Sequence, residues 1–112
     1  MRSGKEMYDY IIGMLADNNI KEIYIIDDGM LRTINKSNRR KSVGLLSASE
    51  VLAFVEYFMY VIRTYNPAIV GFTDEFSIHC KVNVIGNWKK ICFSADVSDE
   101  IVFPQFNIRV KD

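Results

Sequence analysis

Residues 74–97, DEFSIHCKVNVIGNWKKICFSADV, decide how this chain folds, because two alternating runs flank a glycine-asparagine turn signal. In the first run Phe76, Ile78, Cys80, Val82 and Val84 share one side, and Ser77, His79, Lys81 and Asn83 share the other. In the second, Ile91, Phe93, Ala95 and Val97 alternate with Lys90, Cys92, Ser94 and Asp96. A period of two marks a strand with one buried face, and Gly86-Asn87 is the reversal that this spacing predicts. The stretch reads as an antiparallel hairpin, apolar on one side and polar on the other.

Downstream, IVFPQFNIRVKD (101–112) predicts a third strand, with Phe106, Ile108 and Val110 alternating against Asn107, Arg109 and Lys111. Pro104 lacks an amide hydrogen and so belongs at an edge, a strand start or a bulge. Upstream, SASEVLAFVEYFMYVIRTYNP (47–67) predicts a helix opened by a capping box, Ser47 with Glu50, and stopped by Asn66-Pro67. Its stripe of Val51, Phe54, Val55, Phe58, Val61, Ile62 and Tyr65 is widened by Leu52, Met59 and Tyr60. A face so broad needs cover from the sheet and from either the first helix or another molecule. That first helix is predicted in KEMYDYIIGMLADNN (5–19), on the spacing of Met7, Ile11, Met14 and Leu15, with Asn18 and Asn19 as terminators.

Between the helices, KEIYII (21–26) and MLRTIN (30–35) predict a second hairpin across the turn Asp27-Asp28-Gly29. A polar loop over 35–41, NKSNRRK, then leads to a short strand in SVGLL (42–46). The fold class expected is α+β, an antiparallel sheet packed on one face by two helices. At 112 residues the chain is expected to form a single small domain over 1–112.

Composition narrows the function by exclusion. Hydrophobic types make up 49% and charged types 25%, the balance of a folded domain and not of a disordered chain. Fourteen cations offset 14 acids, so no global field draws the chain to nucleic acid, and that partner is not expected. A nucleic-acid binder would gather Lys36, Arg39, Arg40, Lys89 and Lys90 on one face; Trp88, Lys89 and Lys90, just after the turn, are the residues that could stack on a base and contact phosphates. The longest apolar run, VLAFVEYFMYVI (51–62), is interrupted by Glu56 and falls short of the roughly 18 to 20 residues that span a bilayer, so no membrane insertion is expected. The opening residues lack a secretory pattern, and the expected location is cytoplasmic.

Catalytic chemistry finds little purchase. One histidine, His79, and two cysteines, Cys80 and Cys92, are too few for a zinc site of structural spacing, and His79 points away from Cys80. A cysteine-histidine dyad needs His79 opposite Cys92 with a third group to orient the ring, and none stands out. Asp27 and Asp28 beside Gly29, and Asp96, Asp99 and Glu100, read as turn acids. No phosphate-cradling glycine loop is present. The expectation is no metal, no cofactor and no enzymatic activity.

The pieces KEIYI, DGMLR, LLSASEVLAFVEYF, DEFSI and CKVNV, in that order, resemble the small N-terminal domain that precedes the motor domain in type II secretion and type IV pilus assembly ATPases. The resemblance covers most of the chain in short segments. It implies that Arg32 is the arginine of the second strand and that Lys81, Val82 and Asn83 close the meander motif, with lysine where arginine is usual. Domains of that family pack on the motor domain of a neighbouring subunit and help assemble a hexamer. The function expected is therefore a noncatalytic protein-interaction or oligomerisation domain, its partner a second copy or a neighbouring ATPase subunit. The alternative is a small ligand-binding regulatory or inhibitor-like domain. Tyr57, Tyr60, Tyr65 and Trp88 are the candidate protein contacts, and Arg32, Arg39, Arg40 and Lys81 the candidate anion or partner contacts.

Overall fold

The computed structural model describes residues 2–65, 75–98 and 103–111. In chain order it contains α1 (Gly4–Gly13) with a short 3-10 turn, β1 (Ile20–Ile25), β2 (Met30–Asn35), β3 (Arg40–Leu45), α2 (Ala48–Tyr65), β4 (Glu75–Val84), β5 (Asn87–Asp96) and β6 (Gln105–Val110). The expected α+β class holds. All six strands join one antiparallel sheet in the order β3-β2-β1-β6-β5-β4, with the helices packed on it.

One arrangement occurs twice along the chain: a capped helix followed by a meander of three strands. Both helices open with a capping box. Ser47 Oγ accepts from the Glu50 amide at 3.1 Å while Glu50 accepts from the Ser47 amide at 3.1 Å. Ser3 and Glu6 repeat the pattern at 3.1 and 3.2 Å, a second box that the sequence reading missed. Each box satisfies two of the four amides that a helix start leaves without a partner. Arg2 ties the two together through a 3.0 Å ion pair to Glu50, and the Ser47 amide, aided by Arg2, holds the Glu50 carboxyl down at about 2. Gly13 ends α1, as its low helix propensity allows.

The core lies between sheet and helices. From α1 it takes Met7 and Ile11, from the 3-10 turn after it Leu15, from α2 Val51, Phe54, Val55, Phe58 and Ile62, and from the sheet Ile23, Ile25, Leu31, Ile91, Phe93, Phe106 and Ile108. Its centre is aromatic. Phe93 stacks on Phe58 with ring centroids 4.2 Å apart and interplanar angle 7°, and meets Phe54 and Phe76 edge-on at 6.4 and 5.6 Å. Tyr8 of α1 packs on Tyr57 and Phe58 of α2 at 5.3 and 5.4 Å, so the first helix supplies the second side of cover that α2 needed. Burial pushes the Tyr8 hydroxyl up to about 12.

Three details differ from the sequence reading. The polar loop is shorter than 35–41, because β3 starts at Arg40; Asn38 takes a positive φ of 61° and closes the turn in fewer residues. The stripe of α2 loses Tyr65, which is exposed on the last turn, where it meets Trp88 edge-on at 5.2 Å. The β4–β5 reversal is centred on Ile85-Gly86 and not on Gly86-Asn87, since Val84 pairs with Asn87. Ile85 has φ 49° and Gly86 φ 85°, the positive angles that a two-residue type I′ turn requires, and the Gly86 amide donates to Asn83 Oδ1 at 2.9 Å. Pro104 takes the strand-start option, just ahead of β6. The stop at Asn66-Pro67, the linker after it, Asp99 and Glu100 lie outside the described residues.

Ile85 is a β-branched residue in a left-handed conformation with 80% of its surface exposed. Ile85→Asn should therefore stabilise the domain by about 1 kcal/mol, since left-handed geometry costs a side chain of this kind about 1–2 kcal/mol and asparagine tolerates it. A thermal melt that rises by a few degrees would bear this out; an unchanged or lowered midpoint would refute it.

Candidate functional site

The two edges of the sheet are built differently. β3 has six residues, carries Arg40 and Lys41, and its pairing with β2 is broken by a register shift beside Leu31 and Arg32. Charge and irregularity are the usual protections of an edge. β4 has ten residues in ten consecutive pairs with β5, without a register shift, and its span is about 34 Å at 3.4 Å per residue. From Ser77 to Val84 it contains one cation, Lys81, and no proline. From Ser77 to Val84 its outward side pairs with no described strand.

Among the described residues no element covers the sheet face away from the helices, and its side chains form rows across the strands. One row runs His79, Cys92, Arg109 and Glu22; the next runs Ser77, Ser94, Asn107, Tyr24 and Arg32. Glu22 accepts from Arg109 Nε at 3.2 Å and from Asn107 Nδ2 at 3.1 Å, joining the halves of the sheet across β1 and β6. Ser94 Oγ donates to Ser77 Oγ at 3.0 Å, and the Ser77 hydroxyl lies 3.5 Å from Cys92 Sγ.

Charge is segregated along the strands. Lys21 on β1, Lys36, Arg39, Arg40 and Lys41 around the β2–β3 turn, Lys81 on β4, Lys89 and Lys90 on β5, Arg109 on β6 and Lys111 just after it lie towards one end of the sheet. They are ten of the 14 cations in the chain. Asp27, Asp28, Glu75 and Asp96 lie towards the other end. A net charge of zero thus describes the sum and not the field at either end.

The four candidate cations do not form one site. Arg32 is held by Asp28 at 2.6 and 3.1 Å, which draws the Asp28 carboxyl down to about 2. Arg39 and Arg40 border a groove with Tyr10 and Met14 of the first helical segment. Lys81 is on the opposite edge, five strand spacings or about 24 Å from β3. The aromatic candidates divide into two pairs, Tyr57 with Tyr60 at 5.9 Å and Tyr65 with Trp88 at 5.2 Å. Tyr60 is exposed at the surface, whereas Tyr57 is half-buried against Tyr8.

His79 and Cys92 are cross-strand partners, yet no hydrogen bond joins them. Cys80 faces the helices, where burial pushes its thiol up to about 11, a poor condition for a nucleophile. The cysteines are free and lie on opposite faces of the sheet. Among the described residues no three His, Cys, Asp or Glu side chains converge on a metal-sized site, and no described helix is long and apolar enough to cross a membrane. No model of a known protein family matches the chain, and no curated protein matches it in sequence.

Proposed function

We propose that this chain is a noncatalytic protein-interaction domain that associates by strand addition at β4, with a second copy of itself as partner. The observation that carries this reading is the edge from Ser77 to Val84. It is long, regular, free of proline and almost without the charges that guard β3. A strand laid along it would satisfy backbone groups in alternate positions, and the apolar row Ile78, Cys80, Val82 and Val84 would extend the core across the junction. The resemblance to the N-terminal domains of secretion-type ATPases agrees with an assembly role, and in that setting the neighbour would be an ATPase subunit. Two free cysteines fit a reducing compartment, so we place the protein in the cytoplasm.

The test is amide hydrogen exchange at low and high protein concentration, with molar mass measured by light scattering on the same samples. Pairing at β4 should slow every second amide between Ser77 and Val84 as a dimer forms, and leave β3 unchanged. A strict monomer across the range, or a dimer in which β4 exchanges as in the monomer, would overturn the reading.

A further inference from the structure

At the basic end, Lys81 pairs directly with Lys90, and the Lys111 amide donates to the Lys90 carbonyl at 2.9 Å, extending the β5–β6 ladder by one step. Three lysines therefore stand in a row across three neighbouring strands, on the uncovered face. Like charges directly opposite one another destabilise a sheet, and none of the three forms an ion pair with a described carboxylate. Two residues along β5 from Lys90 is Trp88, which lines one groove together with Lys81, Lys90 and Lys111. The residue is 51% exposed although Tyr65, from the end of α2, meets its ring edge-on. Grooves of about 710 and 1040 Å³ meet there, with Trp88, Lys90 and Lys111 lining both.

We infer that the lysine row and Trp88 form a binding site for single-stranded nucleic acid. The lysines, mutually repelling without a ligand, gain from a line of phosphates, and releasing that repulsion adds to binding. The indole offers a base a stacking surface beside those charges, held in orientation before the strand arrives. An acidic peptide would answer the lysines and leave the indole without a stacking partner. The open grooves on both sides let a strand pass through, as binding without strong sequence preference requires.

Trp88 is the only tryptophan, so its emission reports on the site itself. The experiment titrates the full chain with a fluorescently labelled oligothymidylate, following Trp88 emission and probe anisotropy over a series of salt concentrations. Binding should quench Trp88, weaken as salt rises, and weaken by about tenfold or more in Trp88→Ala. In the triple variant Lys81→Ala, Lys90→Ala, Lys111→Ala the slope of log affinity against log salt should fall by about 2, at roughly 0.7 per lost phosphate contact. The same variant should melt higher than the wild type at low salt, which separates lost binding from lost fold. Absence of quenching at low salt, an unchanged salt slope in the triple variant, or equal competition by polyglutamate would each overturn the inference.

Discussion

Phe93→Ala should lower the stability of the domain by about 3–5 kcal/mol, the range for deleting a fully buried aromatic ring. Phe93 is 0% exposed, and its ring is the meeting point of α2 and the sheet, stacked on Phe58 and in edge contact with Phe54 and Phe76. Because the surrounding rings come from two different elements, they cannot all close on the space it leaves, and a cavity remains. Urea unfolding should show a midpoint lowered by more than about 1 M with an unchanged slope. A double-mutant cycle with Phe58→Ala should return a coupling of about 0.5–1.5 kcal/mol from the stacked pair. A loss below about 1 kcal/mol for Phe93→Ala would show that the ring does not hold the layers together.

The second large effect is expected at Gly29, in the β1–β2 turn. Its φ is 73°, and a Cβ there would sit 2.5 Å from the Leu46 carbonyl oxygen and 2.8 Å from the Phe103 ring. Gly29→Ala thus carries a left-handed cost of about 1–2 kcal/mol and an overpacking cost of about 1–3 kcal/mol. The steric part is also structural in its consequence, since the Gly29 carbonyl accepts from the Leu46 amide at 2.9 Å and anchors the turn just ahead of α2. Gly86 is the natural control, with φ 85° and nothing within 4 Å of its Cβ position. Gly86→Ala should show the backbone cost alone. Equal losses from the two substitutions in urea unfolding would refute the close packing at Gly29.

How far the chain could be read beforehand follows from the range of each signal. The alternation in 75–84 and 87–96 assigned the correct face to Phe76, Cys80, Phe93 and Cys92, because side-chain direction in a strand repeats every two residues whatever its partner. Ser47 and Glu50 were legible as a cap for the same local reason. The register was not. Moving the turn from Gly86-Asn87 to Ile85-Gly86 shifts each cross-strand partner by two residues, which leaves every apolar side chain on its original face. Pattern alone is therefore blind to whether His79 faces Cys92 or Ser94, and to whether Lys81 faces Lys90.

By itself the sequence determined the fold class, the two capped or amphipathic helices, the strands and the faces that the last three of them bury, since each rests on a period of 2 or 3.6 within a dozen residues. Only the tertiary structure decided strand order and the composition of the exposed surfaces. Placing β6 between β1 and β5 left β4 as a long edge and set Lys111 beside Lys90, itself opposite Lys81. Those lysines are 30 positions apart from first to last, and no local period relates them. Their alignment comes from hydrogen-bonded registers closed across three strands, which also turned a chain of zero net charge into one with a basic end and an acidic end.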